Sequence, residues 1–215
     1  MKSGIATPRR DGILFVISAP SGAGKTSLFK ELIDIFPDLR HSVSYTTRLM
    51  RSGETEGVDY HFVSPEIFTQ MVSVGAFAEW AEVHGNCYGT ALQPLLDACV
   101  SGSDILLDID YQGAAVLKQH MQNAVFIFIL PPDFDELRRR LVGRNTDSAE
   151  VISMRVENAR HEVAESHWYD YIVINEDFNV ALDQLKSIIV AQRCRREFML
   201  PRMKAMFQPA SGCNQ

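Results

Sequence analysis

The sequence predicts an α/β fold in which a parallel sheet is flanked by helices. Short apolar runs rich in β-branched residues occur at 13–18, 105–109, 125–130 and 171–174, and such continuous runs are typical of strands buried on both faces. Segments with helical spacing of apolar residues separate these runs, which is the alternation expected of α/β proteins. A glycine-rich turn directly follows the first run, so that strand, turn and helix form one unit.

Start and stop signals delimit the helices. Apolar residues at helical spacing predict a helix after the glycine-rich turn, and Pro37 ends it. Two possible capping boxes, Asp133 with Glu136 and Asp147 with Glu150, predict the first turns of two further helices. A last helix is expected to begin near Phe178, and the basic residues beyond it are expected to form its solvated end.

The chain length suits one domain with insertions better than two independent domains. We expect a single domain over 1–215, with a core that comprises 12–41, 91–137 and 159–207. The stretch 42–90 has short β-prone pieces and frequent glycines, which indicates an inserted subdomain of mixed α+β structure. A second, Arg-rich excursion is expected at 138–158.

Composition narrows the function classes. A formal net charge of −6 disfavours a general nucleic-acid binder, because such proteins usually carry a basic excess. The four cysteines form no C-x-x-C pair, so neither a zinc site nor a redox site is predicted. No apolar run is long enough for a signal peptide or a membrane span. We therefore expect a cytoplasmic protein without a membrane partner, and the sequence leaves a homo-oligomer possible.

The turn after the first run has the composition of a phosphate-binding loop. It consists of Ala19, Pro20, Ser21, Gly22, Ala23, Gly24, Lys25 and Thr26, followed by Ser27. The loop and the next helix can point backbone N–H groups at phosphate oxygens. Lys25 supplies a charge for the β- and γ-phosphates, and the Thr26 hydroxyl can ligate Mg²⁺. Ala19 stands where the usual pattern has glycine, which costs little if its φ is negative.

This loop alone does not define the reaction, because GTPases, ATP-driven machines and small-molecule kinases all use one. Residues 110–113 follow the D-x-x-G pattern of a GTPase switch, but no N-K-x-D follows, which disfavours a GTPase. Residues 161–165 begin like the zinc motif H-E-x-x-H, but the second histidine is missing.

A series of separated motifs decides between the kinds of phosphate chemistry. They lie at 44–54, 59–60, 77–82, 85–90, 107–113, 130–132, 140–144 and 173–177. With these motifs in this order, the chain from about residue 13 to about residue 191 closely resembles the guanylate kinases, P-loop enzymes that phosphorylate GMP with ATP. The resemblance implies that 42–90 binds GMP and that 138–158 is a lid.

The resemblance implies a clamp for the phosphate of GMP. Arg48 and Arg51 match the family's phosphate-binding arginines, and planar guanidinium groups suit a dianionic phosphate. Tyr60 and Tyr88 match hydroxyls that complete the clamp.

It also implies a site that recognises guanine. Glu79 matches the carboxylate that accepts the N1–H and N2–H₂ donors, which adenine does not offer together. Ser44, Thr90 and Asp110 match further polar groups near the base. AMP should be rejected, because buried acceptors would be left unpaired.

For catalysis, the resemblance implies a set of positive charges: Lys25, Arg48, Arg140, Arg144 and Arg155. The last three match lid arginines that close over the transferring group. Thr26 and, through water, Asp108 are expected to hold the Mg²⁺ that accompanies ATP, and Asn175 matches a position near the adenine of ATP.

Two alternatives remain at this point. Some guanylate-kinase-like domains are interaction scaffolds that have lost catalytic residues, whereas Lys25 and the arginines are present here. A different phosphorylated acceptor, such as a sugar, would keep the fold but would not need the guanine-facing residues.

Overall fold

The computed structural model describes residues 11–83, 85–143 and 148–207. Its central feature is a five-stranded sheet in the order β2-β7-β1-β8-β9, in which every neighbouring pair is parallel. The strands are β1 (Leu14–Ser18), β2 (Leu39–His41), β7 (Asp104–Asp108), β8 (Val125–Leu130) and β9 (Tyr171–Ile174). The four predicted strands are confirmed, and the short β2 is an addition.

Helices cover both faces of this sheet. They are α1 (Lys25–Ile35), α3 (Leu92–Val100), α4 (Tyr111–His120) and α7 (Phe178–Arg193). Alternate residues of β1 enter two separate cores: Phe15 and Ile17 pack with α1 and α7, whereas Leu14 and Val16 pack with α3 and α4. Because side chains alternate across a strand, a strand buried on both faces must be apolar throughout. This explains the uninterrupted apolar run of β1.

The segment inserted between β2 and α3 forms a second, mixed sheet in the order β4-β3-β6-β5. Its strands are β3 (Tyr45–Thr46), β4 (His61–Phe62), β5 (Phe77–Val83) and β6 (Asn86–Ala91), with α2 (Pro65–Ser73) between β4 and β5. β3 pairs with β4 in parallel and with β6 antiparallel, and β5 pairs with β6 antiparallel. The predicted mixed α+β character of the insertion is confirmed.

Two helices form the second excursion, α5 (Phe134–Gly143) and α6 (Ala149–Ala164). They pack on each other through a small buried cluster that includes Leu137, Leu141 and Val156. The predicted capping box at the start of α6 is wrong in one respect: the cap is the Ser148 hydroxyl, which accepts a hydrogen bond from the Val151 N–H. Asp147 lies outside the described residues.

The last two described helices differ from the prediction of one helix with a solvated basic end. A further helix, α8 (Arg196–Phe207), follows α7 and has no buried residue. Arg193, at the end of α7, is not a solvated residue: its Nε donates to an oxygen of Asp104 at 2.7 Å, and Asp104 is only 1% exposed. Within the described ranges, no helix is both long and apolar enough to cross a membrane.

Candidate active site

The phosphate-binding loop lies at the carboxyl end of β1. Gly22 and Gly24 have φ angles of 100° and 95°, a left-handed conformation that side chains disfavour. A Cβ on Gly24 would also collide with the side-chain amide of Asn175. That amide donates a hydrogen bond of 2.7 Å to the Ala23 carbonyl. The hydrogen bond from Asn175, which is 5% exposed, therefore holds the loop on its buried side.

Lys25 is the first residue of α1, at the mouth of the loop. Its ammonium forms an ion pair with Asp108 at the end of β7 and donates to the Ile109 carbonyl at 3.4 Å. Thr26 and Ser27 follow in the first turn of α1 and are exposed. A cation and a carboxylate thus meet where two parallel strands end, and the residue after the cation carries a hydroxyl.

The arginines of α5 and α6 reach the same loop. Arg140 donates to the carbonyls of Asn175 at 2.8 Å and Ala23 at 3.4 Å, and Arg155 donates to the Ser21 hydroxyl at 3.4 Å. Arg144 lies outside the described residues. The two described arginines of the predicted lid, Arg140 and Arg155, therefore lie against the loop that is expected to bind the donor phosphates.

Glu136 fixes the orientation of Arg140. Hydrogen bonds from Arg139 and Arg140 lower the pKa of Glu136 to about 2, and the Arg140 Nε lies 2.6 Å from a Glu136 oxygen. The predicted capping box at 133–136 is therefore only half formed. The Asp133 carboxylate accepts from the Glu136 N–H, but the Glu136 carboxylate binds arginines instead of the backbone.

The inserted segment contributes a second group of residues to the site. Glu79 of β5 carries a buried carboxylate that is 4% exposed. One oxygen accepts a hydrogen bond of 2.5 Å from the Thr90 hydroxyl on the paired strand β6. The other lies against Gly113 in the first turn of α4, where a Cβ would collide with it. Burial raises the pKa of Glu79 to about 7, the Thr90 hydrogen bond opposes this increase, and the nearby Asp110 adds to it.

Asp110 directly precedes α4, and its carboxylate caps the first turn. One oxygen accepts from the Gly113 N–H at 2.9 Å, as an N-cap does. The other oxygen is buried without a hydrogen-bond partner among the described residues. A buried, unsatisfied carboxylate oxygen is costly unless a ligand provides a donor.

Three residues of the predicted phosphate clamp, Arg48, Arg51 and Tyr60, lie between β3 and β4, and the fourth, Tyr88, lies in β6. The Arg48 guanidinium is close to the rings of Tyr60 and Phe62, at 5.3 Å and 5.7 Å from their centroids, and Tyr60 and Tyr88 are in edge-to-face contact. Arg48 also forms a two-pronged ion pair with Glu54. Arg51 is exposed and lies in the loop between β3 and β4.

A cavity of about 180 Å³ lies between the phosphate-binding loop and the inserted segment. It brings together seven of the residues singled out from the sequence: Lys25, Ser44, Tyr60, Glu79, Tyr88, Asp108 and Asp110. Arg48, Arg51 and Thr90 are not among its lining residues. Thr90 donates to Glu79, which lines the cavity, and Arg48 lies beside the ring of Tyr60, which also lines it. The cavity therefore runs from the lysine of the loop to the buried carboxylates.

Two acidic residues near the site were not predicted from the sequence. Glu54 is the partner of Arg48, and its position six residues further along an arginine-rich loop could have suggested a pairing. Glu162 of α6 is half-buried close to Lys25 and Asp110; burial raises the pKa of Glu162 to about 7, and Lys25 opposes this increase. No motif marked Glu162, because its proximity depends on how α6 packs.

Comparison with known proteins agrees with this arrangement. The family model described as guanylate kinase matches residues 12–192. The chain belongs to the guanylate kinase family. Among curated guanylate kinases, that of Syntrophotalea carbinolica is 65% identical over 87% of this chain and 89% of its own length. That of Geobacter metallireducens is 59% identical over 87% of this chain and 92% of its own length.

A solved structure supports the fold in the same way. The guanylate kinase from Anaplasma phagocytophilum is 33% identical, has a TM-score of 0.74, and the match covers 94% of this chain and 98% of the other. Both sheets and both excursions thus belong to one guanylate kinase architecture, and the resemblance inferred from the separated motifs is confirmed.

Proposed function

We propose that this chain transfers the γ-phosphoryl group of ATP to GMP, giving ADP and GDP, in purine nucleotide metabolism. Its membership of the guanylate kinase family supports the reaction. The single structural observation that carries the proposal is the cavity that joins Lys25 of the phosphate-binding loop to the buried carboxylates of Glu79 and Asp110.

Recognition of guanine follows from the chemistry of Glu79. An ionised carboxylate that faces the base can accept both the N1–H and the N2–H₂ donors. Thr90 already holds one of the carboxylate oxygens, and Asp110 offers a second acceptor that is buried without a partner among the described residues. Adenine offers a different set of donors and acceptors, so AMP would leave these acceptors unpaired, at a cost of about 1–3 kcal/mol for each.

Phosphoryl transfer needs little covalent assistance from the protein. An oxygen of the GMP phosphate forms a bond to the γ-phosphorus while the bond from that phosphorus to the bridging oxygen of ADP breaks. Because the attacking oxygen is already an anion, no general base is required. The protein aligns the two nucleotides and neutralises charge: Lys25, Arg140 and Arg155 act on the donor side, together with Arg144.

The acceptor phosphate is assigned to the opposite side. Arg48 and Arg51, with the hydroxyls of Tyr60 and Tyr88, form the proposed clamp. Ser44 at the start of the insertion is assigned to the guanine. Asn175 supports the phosphate-binding loop, and its place near the adenine of ATP stays a prediction from the resemblance.

Mg²⁺ fits the donor set at the end of β7. A hydroxyl from Thr26 and a carboxylate from Asp108 are hard oxygen ligands, and Mg²⁺ is usually bound by one or two such groups together with phosphates. Among the described residues, no cluster of three or more histidines, cysteines and acids could bind a metal alone. Bound with ATP, Mg²⁺ would neutralise the charge that develops on the transferring phosphoryl group. The Lys25 ammonium now paired with Asp108 would then turn to the phosphates.

The test is a coupled assay of ADP production with ATP, Mg²⁺ and each nucleoside monophosphate in turn. We expect turnover with GMP to exceed that with AMP or UMP by at least about a hundredfold in kcat/KM. Equal or greater turnover of AMP or UMP would overturn the assignment of GMP. An absence of GMP-dependent ADP production would favour the scaffold alternative.

The reaction requires no macromolecular partner, and we place it in the cytoplasm, where both nucleotides occur.

A further inference from the structure

Glu54 pairs with Arg48, one of the two arginines of the proposed phosphate clamp. We propose that Glu54 is a positioning residue for the acceptor phosphate: it holds the end of the Arg48 guanidinium and the backbone of Arg51 together, so that the other edge of Arg48 is presented to the phosphate. This inference rests on the proposed function, because it concerns the phosphate group of GMP.

The contacts of Glu54 involve both arginines. Its two oxygens accept from Arg48 Nη1 and Nη2 at 3.0 Å and 2.7 Å. The oxygen nearer Nη1 also accepts from the backbone N–H of Arg51 at 2.7 Å. One carboxylate therefore fixes the side chain of Arg48 and the course of the loop that carries Arg51.

The arrangement determines which donors of Arg48 remain for a ligand. Nη1 donates to the Leu49 carbonyl at 2.7 Å as well as to Glu54, which uses both of its hydrogens. Nη2 uses one of its hydrogens on Glu54. The remaining N–H groups, on Nε and Nη2, form the second edge of the guanidinium fork, which suits phosphate oxygens. Arg48 also hydrogen-bonds to the Tyr88 hydroxyl, which is assigned to the same phosphate clamp.

The ion pair is sheltered enough to act as a fixed support. The side chains of Arg48 and Glu54 are only 12% and 19% exposed. The guanidinium also lies beside the rings of Tyr60 and Phe62. The hydrogen bonds from Arg48 lower the pKa of Glu54, so the carboxylate stays ionised at neutral pH.

A competing role for Glu54 predicts the opposite change in GMP affinity when its charge is removed. If Glu54 merely occupied Arg48 until the phosphate displaced it, removing the negative charge would strengthen binding of GMP. If it positions Arg48, removing the charge frees a long side chain that must then be ordered at each binding event, and binding weakens. The sign of the change in GMP affinity therefore separates the two roles.

The test compares Glu54→Gln with Glu56→Gln, a matched control two residues away. Glu56 accepts from the Phe62 N–H and contacts His61, so the control removes the same charge from the same loop without touching Arg48. We expect Glu54→Gln to raise the KM for GMP about tenfold and to leave the KM for ATP unchanged. Glu56→Gln should change the KM for GMP less than about twofold.

Guanosine, which lacks the phosphate, provides the second measurement. As a competitive inhibitor against GMP, it should bind Glu54→Gln and the unmodified chain equally well, because only the phosphate contact is altered. Equal loss of GMP and guanosine affinity would overturn the proposal, since it would indicate a general distortion of the site. An unchanged or lower KM for GMP would also overturn it.

A further variant and a binding measurement cover the remaining outcomes. If Glu54→Gln does not fold, Glu54→Asp keeps the charge but shortens the reach, and the same weakening for GMP without loss of guanosine affinity is expected. If the unmodified chain shows no kinase activity, the proposed function fails. Calorimetric titration of GMP into the unmodified chain and Glu54→Gln then decides the positioning role: a tenfold weaker affinity supports it, and an equal or tighter affinity overturns it.

Discussion

The hydroxyl of Thr90 and the carboxylate of Glu79 form a hydrogen bond of 2.5 Å between the paired strands β5 and β6. It fixes one oxygen of a carboxylate that is otherwise surrounded by the first turn of α4. Because the hydroxyl can donate only one hydrogen, the carboxylate keeps acceptor capacity for a ligand. The proposed recognition of guanine depends on this remaining capacity.

The first prediction concerns the charge of Glu79. Glu79→Gln replaces an anionic acceptor by an amide that offers one oxygen, so one guanine donor loses its partner. We expect kcat/KM for GMP to fall about tenfold to a hundredfold, with a smaller change for AMP. Glu82→Gln, an exposed position on the same strand, is the control and should retain the selectivity of the unmodified chain. Unchanged selectivity in Glu79→Gln would mean that another residue reads the base.

The second prediction concerns pH. Since the pKa of Glu79 is raised to about 7, the carboxylate of the free protein takes up a proton as the pH falls through neutrality. The protonated group loses part of its acceptor capacity, so the KM for GMP should rise about tenfold from pH 8 to pH 6.

Titration of GMP itself must be separated from this effect, because the second pKa of a phosphate monoester is about 6. The pH dependence of the KM should therefore be measured in parallel for Glu79→Gln. That variant keeps Glu162 and the phosphate titration, and it should show only about a twofold rise. Identical pH profiles for the two proteins would refute the assignment to Glu79.

The third prediction concerns the space beside Glu79. Gly113→Ala places a methyl group where the Glu79 carboxylate now lies, so the carboxylate must move away from its position. We expect a rise of about tenfold or more in the KM for GMP, whereas the KM for ATP stays within about twofold. Alanine itself favours a helix, so a loss of GMP affinity without a loss of thermal stability would identify displacement of Glu79 as the cause.

A neighbouring substitution provides the control for this experiment. Gln112→Ala lies in the same first turn of α4, and Gln112 is exposed. It should leave both KM values unchanged. A similar effect of both variants on the KM for GMP would show that the helix terminus, and not the contact with Glu79, is responsible.

The fourth prediction concerns stability at the other end of the sheet. Asp104 accepts from the Ile13 N–H at 2.9 Å and from Arg193 at 2.7 Å, which links β7 to α7 and to the residue that precedes β1. Arg193→Ala removes the charged partner of a carboxylate that is 1% exposed. We expect the free energy of unfolding to fall by about 3–5 kcal/mol, because breaking a buried ion pair leaves a buried charge.

Urea denaturation provides the measurement, and Arg195→Ala is the control. Arg195 forms an exposed pair with Glu197, and such pairs contribute about 0–1 kcal/mol. A loss below about 1 kcal/mol for Arg193→Ala would show that the buried ion pair contributes little to stability. GMP selectivity should be the same in both variants, since neither residue lines the cleft.

Four of the five strands of the parallel sheet and the phosphate-binding loop could be predicted because each depends on local signals. A strand buried on both faces is mostly apolar, as in residues 14–17 of β1, and a loop with two left-handed residues favours glycine, as at Gly22 and Gly24. The short β2 could not be predicted in this way. It contains only one buried residue, Leu39, beside two exposed polar residues, and it is held in the sheet by pairing with β7.

Contacts between residues that are far apart in the sequence could not be predicted either. The link between Arg193 and Asp104 spans 89 residues, and the helical pattern alone predicts a solvated end for α7. The proximity of Glu162 to Lys25 likewise depends on the packing of α6. The separated motifs were informative at long range only because together they resemble a family, whereas single charges carry no such information.

The placement of the insertion has a consequence for how such a chain can diversify. β2 and β7 are neighbours in the parallel sheet, and α3 alone would suffice as the crossover between them. The β3–β6 sheet is therefore a cassette within an otherwise ordinary βαβ unit. Under the proposed function, exchanging it for another would alter the acceptor site, to which Asp110 outside the insertion also contributes, while the phosphate-binding loop stays intact.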